Sequence, residues 1–275
     1  MTRRLLLAWA LIAGPAAAQR LGARVGVAPD GIVRLSFAAR PGVCGNGRNV
    51  IALDCTGGRC GRWRGGGGGG HTITVDRGFD RDEVEYDCEP GPVRVSLTVR
   101  TGRVQSLRTY VGGRWVTPPG DAAVTDLGTV SSRDAVDFLL GLATREDSRG
   151  GEEAILPVTL ADSVTVWPPL LKLARDDRAP RRTRRQAVFW LGQAAGDAAT
   201  RGLADLVDEE DVDRDVKEQA VFALSQQPHD AGVPALIRIA RTHPEPGVRR
   251  KALFWLGQSG DPRALALFEE LLTKP

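Results

Sequence analysis

The sequence predicts an α+β multidomain protein: a small disulfide-linked antiparallel β domain followed by an α-solenoid of stacked helical hairpins. Three observations carry this expectation. Apolar residues alternate with period two in the first half, as in residues 92–100, PVRVSLTVR, where Val93, Val95, Leu97 and Val99 share one face. From Ser131 onward apolar residues recur at three and four instead, as Ala135, Phe138, Leu139 and Leu142. A ten-residue run, RRQAVFWLGQ at 184–193, then returns loosely as KEQAVFALSQ at 217–226 and closely as RRKALFWLGQ at 249–258.

Residues 1–18, MTRRLLLAWALIAGPAAA, join a basic start at Arg3 and Arg4, an apolar stretch at 5–13 and small residues at 16–18. That is the pattern of a secretory signal peptide cut before Gln19. The apolar stretch is far shorter than the ~20 residues a membrane span needs. The mature chain is therefore expected to be periplasmic or secreted, with no integral membrane span.

Residues 19–117 read as the β-rich domain. Thr101-Gly102 offers a two-residue turn after the strand at 92–100, so residues 103–111 return as its hairpin partner. Residues 31–38 alternate in the same way, and 71–76 are β-rich. The sheet is expected to be a sandwich or an open, barrel-like one. All four cysteines fall here, and an even number in an exported chain reads as a disulfide framework with three possible pairings. Cys55 and Cys60 bracket a Thr-Gly-Gly-Arg turn that brings them together, which leaves Cys44 for Cys88. A zinc site with His71 is the alternative, but one Cys-x4-Cys and two lone cysteines do not make paired knuckles. The six glycines at 65–70 lead into a strand-like HTITV rather than a helix with Lys and Ser or Thr. They read as a loop, not a phosphate cradle.

Pro118, Pro119 and Gly120 mark a linker, set at 118–130. The solenoid is placed at 131–275. Ser131 and Asp134 stand where an N-cap and its N3 partner would stand. A divergent cap covers 131–177, and repeats follow at about 181–213, 214–245 and 246–275. Aligning Ala187, Ala220 and Ala252 gives offsets of 33 and 32 residues, the size of a stacked helical hairpin. Each copy is followed by a second amphipathic segment, at 197–207, 230–241 and 261–272, opening on Asp197, Asp230 and Asp261 as N-caps. Phe189 and Trp190 widen the apolar surface of the first helix, so it must be covered by its partner and by neighbouring hairpins. Trp190 and Trp255 are expected to fill space that Ala223 leaves in the middle copy.

These repeated runs resemble the HEAT-repeat family, above all its short bacterial variety related to phycobilisome-lyase-like repeats. The resemblance implies an α-solenoid that holds protein partners on a concave face lined mainly by the second helices. The fixed Pro and the Asp/Val-Arg pairing common in eukaryotic members are not kept in every copy, so curvature does not carry over.

The formal charge of +3 falls to +1 without Arg3 and Arg4, too little to attract nucleic acid. Its distribution is uneven: residues 19–120 hold 15 basic and 9 acidic side chains, residues 121–177 hold 5 and 11. These opposite balances are expected to pair within the chain. No catalytic motif is present. His71, His229 and His243 read as solvated turn residues without a nucleophile and orienting acid at matching spacing, and residues 208–211, DEED, lack the alternating ligands of a calcium loop. The expected function is that of an exported, non-enzymatic scaffold without cofactor or metal, binding a protein partner. The polar positions on the second helices, Lys172, Arg175, Arg201, Asp205, Arg238, Arg241, Glu269 and Glu270, are its candidate contacts. Two other functions fit parts of the chain: a lyase-like enzyme handling a prosthetic group, and a binder of glycan or envelope polymer through Trp63, Trp115 and nearby arginines of the β domain.

Overall fold

In the computed structural model, which describes residues 14–48, 50–53, 71–74, 89–115, 117, 118, 120, 122–145, 150–193, 197–227 and 229–273, the alternating first half forms strands where the period predicts them. The chain divides into two units, Met1–Phe138 and Leu139–Pro275.

The first unit holds a four-stranded sheet. β1 (Gly31–Phe37) pairs antiparallel with β5 (Val93–Arg100), and β5 with β6 (Arg103–Val111), each separated from the next by register-fixed apolar pairs such as Val33 opposite Leu97 and Leu35 opposite Val95. Between β1 and β5 the chain contributes β2 (Cys44–Gly45), β3 (Val50–Leu53) and β4 (His71–Thr74), a separate three-stranded antiparallel sheet in the order β2-β3-β4. Val33, Leu35, Phe37, Val93, Val95, Leu97 and Val99 are fully buried, whereas Arg34, Ser36, Arg94 and Ser96 on the opposite face are half-exposed. In β6 the buried positions shift from Val104 to Leu107, because a bulge interrupts the register between Thr98 and Val99 of its partner.

Two expectations are corrected. Residues 124–129, assigned to a linker, form β7 (Val124–Thr129), and β7 lies parallel to β1, so the sheet is mixed, in the order β6-β5-β1-β7. A parallel return needs a crossover of about a dozen residues, and residues 112–123 supply it. The strand escaped detection because it is an edge: its VTDLGT has no alternation, and all six residues are exposed or half-exposed. The division between units falls inside α2 (Ser132–Ala143) rather than in the Pro-Gly stretch. Ser131 Oγ accepts the Asp134 N–H at 3.1 Å, so the predicted cap stands. α1 (Gly14–Gly26) runs across the cleavage point expected before Gln19, with Leu21 and Val25 buried and Gly22 against the Phe138 ring.

The second unit is helical. Short α3 (Gly150–Glu153) and α4 (Ile155–Thr159) precede α5 (Trp167–Arg175), the less regular stretch expected before the repeats. Three hairpins follow. Their first helices are α6 (Arg181–Gly192), α8 (Arg214–Ser225) and α10 (Pro246–Ser259); their second helices are α7 (Asp197–Asp208), α9 (His229–Thr242) and α11 (Pro262–Thr273). α6 packs on α8 and α8 on α10, so the recurring run is a stacking surface. Ala187, Ala220 and Ala252 are fully buried, as are Val188 and Val221.

The aromatic positions grade outward along the stack. Trp190 is 5% exposed, Trp255 is half-buried, and Phe254 is 56% exposed, because α10 has a described helical neighbour in the stack on one side only. Trp255 packs on Phe222 of the preceding hairpin, ring centroids 5.0 Å apart. Ala223 lets α8 approach α6: a Cβ on Gly192 would stand 2.8 Å from that of Ala223. Asp261 caps α11 through the Arg263 N–H at 2.9 Å, after Gly260 turns the chain at φ +66. Asp197 and Asp230 do not precede their helices; Asp197 opens α7, and Asp230 is the second residue of α9.

Candidate functional site

The solenoid presents two kinds of charged surface. Along the second helices, cations of one element reach carboxylates of a neighbouring one. Arg175 of α5 donates through Nε to Glu209 at 2.7 Å, Arg238 of α9 donates to Asp208 at 2.8 Å, and Arg241 donates to Glu270 of α11. The acidic run at the end of α7 is therefore a clasp: Asp208 holds α9 and Glu209 holds α5. Four of the eight candidate contact residues, Arg175, Arg238, Arg241 and Glu270, are engaged in this belt. Lys172, Arg201, Asp205 and Glu269 are exposed, with no ion pair to a described residue. Each belt pair is exposed to solvent and stabilises by about 0.2 to 1 kcal/mol; together they fix the spacing of the second helices.

A second series lies between the first helices. Arg184, buried at the fourth position of α6, donates to Asp213, the N-cap residue of α8. One repeat later Lys217, 4% exposed at the fourth position of α8, donates to Glu245, the N-cap residue of α10, at 2.8 Å. The acids sit where the helix N-terminus favours negative charge. Yet neither side chain caps its own helix, since the carboxylate is turned to the cation of the preceding hairpin. The hydrogen bond from Lys217 holds the Glu245 carboxyl below its ordinary range; burial opposes it, and the charges of Lys217 and Arg214 act with it. Burial, in contrast, pushes the Asp137 carboxyl of α2 upward.

Further polar residues that the sequence did not single out also tie the hairpins together. Gln227 is buried; its amide donates to the Gly192 carbonyl at 2.6 Å and accepts from Thr200 at 3.1 Å. Residue for residue the repeat alignment points to its neighbour Gln226, which is exposed. His243, expected to be solvated, is 3% exposed. Its Nδ1 accepts the Glu245 N–H at 3.1 Å, which leaves Nε2 to donate to the Val207 carbonyl at 3.0 Å. It is a bridge between α7 and the turn into α10. His71 and His229 begin β4 and α9; their side chains lie outside the described residues.

In the β unit, Trp115 is half-buried, with the guanidinium groups of Arg34 and Arg94 at 5.0 and 5.7 Å from its ring centre. Arg94 is further fixed by donating to the Gly112 carbonyl at 2.7 Å. The ring is thus occupied by the protein's own cations. Trp63 lies outside the described residues, as do the six glycines at 65–70 and the cysteines Cys55, Cys60 and Cys88. Cys44 is buried in β2 and its thiol is not free. Among the described residues no three or more His, Cys, Asp or Glu side chains converge on one point, and no helix is long and apolar enough to cross a membrane.

On the other side of the hairpins from the belt lies a cleft of about 310 Å³, lined by Glu152 of α3, Arg182, Arg185, Gln186 and Phe189 of α6, and Gln219 of α8. None of these residues was among the expected contacts. No curated protein matches the chain. Residues 200–275, which span α7 to α11, match the family model of HEAT repeats, so this stretch of the stacked hairpins is HEAT-repeat architecture.

Proposed function

We propose that the protein is an exported, non-enzymatic scaffold whose HEAT-like solenoid holds a protein partner. The observation that carries this is the stacked-hairpin array at 181–273, overlapped from residue 200 on by the match of 200–275 to HEAT repeats, a family that generally mediates protein–protein interaction. Its hairpins are joined by ion pairs whose cations are buried and by a surface belt, which tie them into one surface for a partner. The polar side chains left over on the second helices, Lys172, Arg201, Asp205 and Glu269, are the proposed contacts. The belt residues Arg175, Arg238, Arg241 and Glu270 hold these contacts in register and border them. In the β unit, pairings of Cys44 with Cys88 and Cys55 with Cys60 act as staples. The basic and apolar leader at 1–18 supports export.

The direct test is a photo-crosslinking residue at Arg201, on the exposed face of α7, in cells that express the full chain with its own leader. Mass spectrometry of the adducts should return one dominant protein species. Adducts with no protein, from position 201 and from a second probe at Asp205, would remove the scaffold assignment.

A further inference from the structure

The arginines of α6 divide their work. In the run Arg181-Arg182-Thr183-Arg184-Arg185, Arg184 is buried against Asp213, and Arg181 lies 3.7 Å from both Asp213 and Asp215 of α8. Arg182 and Arg185 are exposed and make no ion pair with a described residue. They are three apart, so they share a side of the helix, and both line the 310 Å³ cleft. Phe189, one turn beyond Arg185, supplies a half-buried ring to the same wall, and Gln186 and Gln219 bring amides from two neighbouring hairpins. One carboxylate, Glu152, stands at the cleft, so its lining carries a net positive charge. Elsewhere on the solenoid, Arg175, Arg238 and Arg241 are neutralised by neighbouring elements.

We infer that this cleft binds an acidic, extended segment of the protein partner. The inference rests on the scaffold function proposed above and gives it a docking point on the first helices. A carboxylate of the segment meets the guanidinium groups of Arg182 and Arg185, which bind carboxylates in fixed, forked geometry. An apolar residue beside it covers Phe189. The amides of Gln186 and Gln219 each offer a donor and an acceptor, the set a peptide main chain requires. A cleft of this volume is at the small end of ligand sites, enough for a few side chains. Nucleic acid is disfavoured, because tracking a phosphate backbone takes a series of cations, and this lining has two cations and one carboxylate.

The experiment uses the full chain and a fluorescein-labelled peptide of alternating Glu and Leu, read by fluorescence anisotropy. Controls are the same peptide with Gln for Glu and a labelled single-stranded oligonucleotide. The acidic peptide should bind, weaken with added salt, and lose roughly tenfold or more in affinity in Arg182→Glu/Arg185→Glu. Both side chains are exposed, and an unchanged circular dichroism spectrum checks that the variant is folded. Arg250→Glu, at an exposed position of α10 that does not line the cleft, should leave peptide affinity within about twofold. Equal binding of the Gln peptide, unchanged affinity in the double variant, or tighter binding of the oligonucleotide overturns the cleft assignment. If the crosslink from position 201 in cells persists in that case, only the cleft assignment falls. Loss of the crosslinks from both position 201 and position 205 as well takes the scaffold function with it.

Discussion

Lys217 is an ammonium with 4% of its surface exposed, tolerated because Glu245 accepts from it at 2.8 Å. Removing the acceptor from a fully buried pair costs about 3 to 5 kcal/mol. Here the Glu245 side chain is 37% exposed, so water reaches the site and Glu245→Gln should cost only about 1 to 2 kcal/mol. The pH dependence has a definite sign. The Glu245 carboxyl is held below its ordinary value of 4.5 in the folded chain. Its stabilisation is therefore complete above that value and is lost as pH falls from it through the lower, folded-state value. Urea unfolding of wild type and variant at pH 7 and in acid makes the comparison: the stability gap should be widest at pH 7 and close on acidification. A gap independent of pH would show that Glu245 acts by packing alone. None of this was visible in the sequence, where Lys217 and Glu245 are separated by 28 residues and each reads as ordinary surface charge. The same holds for His243: beside a proline it looks like a solvated turn, and only tertiary structure supplies the Val207 carbonyl and the Glu245 amide that engage its ring.

Elements were legible in proportion to the strength of their period. The hairpin β5–β6 and its Thr101-Gly102 turn follow from alternation and one Gly. The first helices α6, α8 and α10 each start three residues before a copy of the recurring run, so a run used three times marks where they lie. β7 was not legible, since an edge strand half in water has no apolar alternation, and its parallel pairing depends on where a crossover lands. The β5–β6 turn carries a strain that the sequence only hints at. Thr101 and Gly102 both take positive φ, +49 and +70, and a β-branched residue pays for that conformation. The Thr101 N–H donates to Asp30 at 2.6 Å, which holds the turn in place and does not depend on the threonine side chain. Thr101→Asn keeps that bond and puts a residue suited to positive φ at the site, a gain of about 1 kcal/mol. Amides of β5 and β6 should then exchange roughly fivefold more slowly in hydrogen exchange if they open by local unfolding. Unchanged or faster exchange would mean that Thr101 is unstrained where it stands.

At the scale of the whole molecule, the offsets of 33 and 32 residues foretold a solenoid, and the apolar stacking positions foretold its core. They did not foretell which polar residues pair with one another across the solenoid. A helical wheel places Arg238 and Arg241 outward, but it cannot say that Asp208 and Glu270 come from neighbouring elements to meet them. The cleft was equally hidden, being assembled from α3, α6 and α8. The leader and the cysteines bear on the other end of the chain, and they stand or fall together, since stable disulfides require an oxidising compartment. Cleavage before Gln19 would cut within α1 yet leave Leu21 and Val25, 3% and 2% exposed, on the mature side to complete the core of the β unit. Protein recovered after expression with its own leader should therefore begin at Gln19, and its intact mass should be lower than that of the reduced chain by the hydrogens of two disulfides. Peptide mapping without reductant should join the fragments of Cys44 and Cys88, and those of Cys55 and Cys60. A chain that retains residues 1–18 and alkylates at all four cysteines without reductant would place the protein in a reducing compartment, where the partner has to be sought instead.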